Sequence, residues 1–152
     1  MKLENIKKIC VKCSAKCCYL DGPVVTKAEK RRILKAGFED VFAPAGKYYY
    51  VKHKGGKCSF LRNNLCSVQS AKPLMCKIWP VYPVFKGKER RFMIFDCPLT
   101  PHLSKADIRK LEMQSKRLPK EVVIDAIANL SPAATKRLNR FNWEKRFKEA
   151  LK

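Results

Sequence analysis

The chain has 152 residues, 46% of them hydrophobic, and carries 34 lysines and arginines against 13 aspartates and glutamates, a net charge of +21. That length suits one domain with at most an appended segment, and its core can only be modest. Lys2, Leu3, Glu4 and Asn5 follow Met1 with no apolar run behind them, and nowhere do eighteen apolar residues stand together, so we expect a cytoplasmic protein with neither secretory signal nor membrane span.

Residues 1–18 read as a basic leader holding the first cysteines. Thr26 and Glu29 form a capping box, predicting a helix from Lys27 to about Ala36 with Gly37 just beyond its end. Lys47 to Lys52 (KYYYVK) is β-prone, with Tyr48 and Tyr50 on one face and Tyr49 on the other, and Gly55-Gly56 marks a turn. Cys58 to Gln69 predicts two short strands around Asn63-Asn64. Val81–Lys86 and Arg91–Phe95 predict a hairpin that turns at Gly87-Lys88-Glu89. Ser104 with Asp107 signals another helix, on which Ile108, Leu111 and Leu118 share a face. Val123, Ala126, Ile127 and Leu130 stripe the next, and Ser131-Pro132 opens a last one. In that last helix Trp143 and Phe147 lie opposite Ala134, Leu138 and Phe141, which makes them candidates for meeting a protein partner.

The expected fold class is α+β: a small antiparallel sheet with cysteine-rich metal-binding loops and a helical C-terminal segment. Residues 1–98 are expected to form a cysteine-cluster metal-binding module, and 99–152 a basic helical extension packed on it. All eight cysteines lie before Pro98, and residues 1–97 hold 21 cations against 7 acids, so the charge belongs to the cysteine module itself.

Eight cysteines in a reducing compartment point to metal or redox chemistry rather than disulfides. Cys10 and Cys13 have C-x-x-C spacing, which lets one turn of backbone offer two sulfurs to one metal. Cys17 and Cys18 are adjacent, and on an extended chain adjacent side chains point apart, so we assign them to different sites or to different shells of one. Cys58, Cys66, Cys76 and Cys97 follow singly, each at a turn or strand end, and are expected to converge with the N-terminal four. Lys12, Lys16, Lys57 and Lys77 adjoin cysteines and favour thiolate, while His53 and His102 are candidate extra ligands. Thiolates suit zinc and iron–sulfur clusters alike; the irregular spacing and Cys97-Pro98 lean towards an iron–sulfur cluster, with zinc the alternative.

This pattern resembles a known family. The four N-terminal cysteines, then Cys58-Ser59-Phe60-Leu61, Cys66-Ser67-Val68, Lys72-Pro73-Leu74-Met75-Cys76-Lys77-Ile78-Trp79-Pro80 and Cys97, are similar to the CxxCxxCC family of zinc- or iron-chelating proteins over about residues 10–98. The chain departs from the family pattern in one extra residue between Cys13 and Cys17, in lysine for arginine at Lys72 and Lys77, and in Trp79 for a smaller aromatic. The resemblance implies metal chelation through all eight cysteines. Its larger relatives include flagellin lysine N-methylases. This chain has no glycine-rich strand-to-helix motif, no Ser/His/Asp set and no phosphate loop, so no catalytic role is expected from it. An iron–sulfur redox or modification enzyme, or an accessory protein related to the methylase group, is the alternative reading.

Two turns mix cations with aromatics. Lys47, Tyr49, Lys52, Lys54 and Lys57 surround the first, and Lys86, Lys88, Arg90 and Arg91 the second. Lysine and arginine neutralise phosphates and exposed rings stack on unpaired bases, so these residues are the candidate contacts to structured RNA, with the ribosome a natural partner.

Overall fold

The computed structural model describes residues 3–95 and 97–123, together with the strand pair 148–149. The fold is α+β. Its elements run α1 (Leu3–Lys12), β1 (Val24–Val25), α2 (Lys27–Lys35), β2 (Phe42–Ala45), β3 (Tyr48–Val51), β4 (His53–Lys54), β5 (Lys57–Cys58), β6 (Leu61–Arg62), β7 (Leu65–Cys66), α3 (Leu74–Lys77), β8 (Val81–Lys86), β9 (Glu89–Ile94), α4 (Lys105–Ser115) and β10 (Lys148–Glu149). The expected helices beyond Val123, with Ala126, Ile127, Leu130, Trp143 and Phe147, lie outside the described residues.

The first core forms where β1, β3 and β2 pair antiparallel, with Val25 opposite Tyr49 and Phe42 opposite Val51. Ile33 of α2, Val25, Val51, Phe42, Phe60 and Val68 fill it. Gly22 enters this sheet where no side chain fits: a Cβ there would collide with the Val51 carbonyl oxygen. Two short hairpins follow, β4 with β5 and β6 with β7. The second turns on Asn63 and Asn64, at φ 49° and 58°, the left-handed pair that a two-residue hairpin turn needs and asparagine tolerates.

Helix α2 starts as its sequence signals. The Thr26 hydroxyl accepts from the Glu29 amide at 3.2 Å, and Glu29 Oε2 accepts from the Thr26 amide at 2.9 Å. The other Glu29 oxygen accepts the Leu74 amide at 2.7 Å, and Arg32 donates to the carbonyls of Ala71 and Lys72 at 3.3 and 3.1 Å. One helix thus holds, through two side chains, the segment that leads into Cys76.

The second core joins α3 to β8 through Ile78, Tyr82, Leu118 and Val123. The third lies under the β8–β9 hairpin, where Val81, Phe92 and Ile94 meet Ile108 and Leu111 of α4. Ser104 and Asp107 cap α4 as expected. Leu118, however, does not continue that helix face. Helix α4 stops at Ser115, the chain turns, and Leu118 joins the second core instead. Arg90 closes this end by donating to the Ser115 and Leu118 carbonyls at 2.8 and 3.3 Å. The basic leader is helical over Leu3–Lys12, with no residue buried. Among the described residues no helix is long and apolar enough to cross a membrane.

Candidate metal centre

Three of the later cysteines open the same local turn. In Cys58-Ser59-Phe60, Cys66-Ser67-Val68 and Cys97-Pro98-Leu99, the amide two residues after the cysteine donates to its sulfur. Burial raises the pKa of each thiol, and each of these amides pulls it back down. The residues that supply the amides are apolar anchors: Phe60, Val68 and Leu99 are all buried. Phe60 meets Phe38 and Phe42 edge to face, with ring centroids 6.4 and 5.9 Å away. A side chain locked in the core therefore fixes the turn, and the turn aims an N–H at a sulfur. Thiolate ligands of metals are held in this way.

The N-terminal cysteines are folded back on themselves. Cys10 lies on α1, and the Cys13 amide bonds to the Ile9 carbonyl just past its end. Ser14 and Ala15 then take left-handed conformations, at φ 57° and 47°, without a glycine. The extra residue of the family comparison falls in this turn. A 3-10 turn over Lys16–Tyr19 brings Cys17 and Cys18 back towards α1, tied by the Cys18 amide to the Ala15 carbonyl at 2.8 Å. The pair is not extended, as the spacing had suggested. The two side chains hydrogen-bond to each other, which lowers the Cys17 pKa and raises that of Cys18.

All eight sulfurs lie in one neighbourhood. Burial pushes the Cys10 thiol up to about 11, and Cys17, Cys13 and Cys97 add to the rise. Cys97 feels Cys17 and Cys13, while Cys18 feels Cys17, Cys76 and Cys58. At Cys76 burial is the largest cause of the rise, with Cys66, Cys17 and Cys58 beside it. Cys18 and Cys66 pack against the same core that contains Cys58. A cation set among four of them is Lys72. Its burial opposes its charge, but Cys76, Cys66, Cys17 and Cys10 together hold its pKa above the usual lysine value. The Trp79 indole lies beside the Cys97 sulfur and lowers the pKa of that thiol.

Sequence adjacency had singled out Lys12, Lys16, Lys57 and Lys77. Lys72, four residues from the nearest cysteine in the chain, is instead the cation that four of the thiols share. Trp79 was visible only as a departure from the family pattern. The donor set is soft, sulfur-only and lined with N–H groups, which fits zinc or iron and not the oxygen-seeking magnesium or calcium. Among the described residues no three Cys, His, Asp or Glu side chains are posed to hold one metal ion, so the sulfurs form a neighbourhood rather than a finished coordination shell. His53 stands across from Cys58 in the β4–β5 pair. His102 is exposed on a 3-10 turn after Cys97.

The candidate RNA residues divide. Lys52, Lys54, Lys57 and Lys88 are exposed. Lys47 pairs with Glu121 at 3.4 Å, Arg91 with Glu89 at 3.1 Å, and Arg90 is committed to the end of α4. Lys86 lies on β8. Tyr49 shares the face of Val51, packs on the first core and sits under the Lys30 ammonium at 4.6 Å. The ring turned to solvent is Tyr50, 40% exposed.

A sequence profile described as "CxxCxxCC: Putative zinc- or iron-chelating domain" matches residues 9–112, about two thirds of the chain. The chain belongs to the CxxCxxCC family. Binding of zinc or iron follows from that membership, and the family's C-x-F-L and C-x-[IV] stretches are here the buried-anchor turns at Cys58 and Cys66. No curated protein and no solved structure matches the chain.

Proposed function

We propose that the protein is a metal–thiolate module with two four-sulfur centres. Cys18, Cys58, Cys66 and Cys76 make one, and Cys10, Cys13, Cys17 and Cys97 the other. The observation that carries this reading is the repeated turn in which a buried apolar anchor aims its amide at the preceding cysteine sulfur. The partition is supported by the shared packing of Cys18, Cys58 and Cys66, and by the neighbours of Cys76 and Cys97. Cys17 neighbours both groups. Placing it apart from Cys18 gives each centre four thiolates, the number that tetrahedral zinc or a cubane cluster takes. Lys72 neighbours two members of each group and would serve as their common counter-cation. When bound, the metal would supply the cross-links that a small core lacks. The test is metal content after cysteine substitution.

The surface carries a second reading: contact with structured RNA through cations close to the metal centre. Lys52, Lys54 and Lys57 stand exposed around a hairpin that ends on Cys58, and Tyr50 offers a ring to an unpaired base. Affinity for a fluorescent structured RNA should fall steeply as salt rises. Replacing the three lysines by alanine should cut the log–log salt slope by about three, roughly one per phosphate contact. No binding even at low salt would remove the RNA reading and leave the metal reading standing.

A further inference from the structure

Tyr82 is only 8% exposed, in the core it forms with Ile78, Leu118 and Val123. Leu74, Met75, Phe85 and Phe95 complete an apolar surround. Its hydroxyl is buried and has no hydrogen-bond partner among the described residues. Phenylalanine would fill the same space without stranding a polar group, and stranding one is unfavourable. A hydroxyl kept there calls for a partner.

The polar group beside it is Cys76. The cluster that holds Tyr82 takes in Leu74, Met75 and Ile78, on and just past the short helix that carries Cys76, and after burial itself Cys76 is the neighbour that raises the phenol's pKa. Three residues earlier, the Trp79 indole lies beside another cysteine, Cys97, and lowers its pKa. Phe95 holds both rings in place, stacked on Trp79 at 4.3 Å and edge-on to Tyr82 at 6.3 Å. The segment from Trp79 to Tyr82 thus sets one aromatic side chain beside Cys97 and one near Cys76.

We propose that Tyr82 is a positioning residue for the metal centre, donating its hydroxyl proton in a hydrogen bond to the Cys76 sulfur when that sulfur is a metal-bound thiolate. A thiolate accepts far more strongly than a neutral thiol, so metal binding completes the bond. Such a donor orients the ligand and slows metal loss, as hydrogen bonds to metal ligands do elsewhere. The proposal rests on the two-centre reading above.

The test compares wild type with Tyr82→Phe, as full chains purified without oxygen, by elemental analysis, by the rate of metal release to a chelator, and by thermal unfolding with and without metal. The variant should hold as much metal as wild type and release the part bound at the Cys76 centre about ten- to a hundred-fold faster. Its melting temperature should fall only in the metal-loaded form; stripped of metal, it should equal or exceed wild type. Equal metal content with unchanged release would overturn the proposal alone. Equal loss of stability in both forms would also overturn it, because that is the mark of a packing role. A wild-type chain that takes up no metal would overturn the two-centre reading and this proposal together.

Discussion

Replacing Cys58 by serine is expected to remove half of the metal bound per chain and leave the other half in place. Cys58 sits in the first core beside Cys18 and Cys66, so its loss should open one centre and spare Cys10, Cys13 and Cys97. Cys13→Ser should give the complementary half, and the double variant none. The energetic stakes exceed those of any packing change: structural zinc contributes about 10–16 kcal/mol in small metal-folded peptides. Loss of one centre should therefore lower the melting temperature sharply. Metal per chain and calorimetry on the three variants decide the matter. Complete metal loss from either single variant would show that all eight cysteines serve one centre, and would end the partition.

The Phe60→Ala variant should be destabilised by about 3–5 kcal/mol, the usual cost of truncating a buried phenylalanine. That is a large share of the roughly 5–15 kcal/mol by which domains are stable. Phe60 is 5% exposed and lies between Phe38 and Phe42, so the vacated space cannot close without moving α2 or β2. The effect should also reach chemistry. The Phe60 amide donates to Cys58, so loosening the ring should weaken that bond and speed metal release from the Cys58 centre, while the Cys97 centre keeps its own anchor, Leu99. Urea unfolding and chelator kinetics give both numbers. A variant that unfolds less than 1 kcal/mol more easily and holds metal as wild type does would show that the turn stands without its anchor.

Where a signal is local, the sequence was readable. Thr26 with Glu29 and Ser104 with Asp107 start their helices through contacts three residues apart, and Asn63-Asn64 turns a hairpin because both residues accept a left-handed backbone. The alternation of Tyr48, Tyr49 and Tyr50 was legible too, but not which face met the core. Val51 and Val25 decide that, and they place Tyr49 inward. The metal ligands were legible as a set because cysteine is rare and clustered. Their surroundings were not. Lys72 reaches Cys10 and Cys17 across more than fifty residues of chain, because α2 clamps the segment after Val68 through Glu29 and Arg32. The amides of Phe60, Val68 and Leu99 belong to the backbone and leave no compositional trace beyond an apolar residue two positions after a cysteine. Leu118 fits the periodicity of α4, yet the pull of Ile78 and Tyr82 and the Arg90 clamp on the helix end take it elsewhere.

The central claim is that these thiols are metal ligands. It is tested most directly by iron, zinc and acid-labile sulfide analysis of the wild-type chain purified without oxygen, with the cysteines titrated by an alkylating reagent before and after a chelator is added. The expected result is stoichiometric zinc or iron, with the cysteines protected until the chelator strips the metal. A metal-free chain with eight freely alkylated thiols would contradict it.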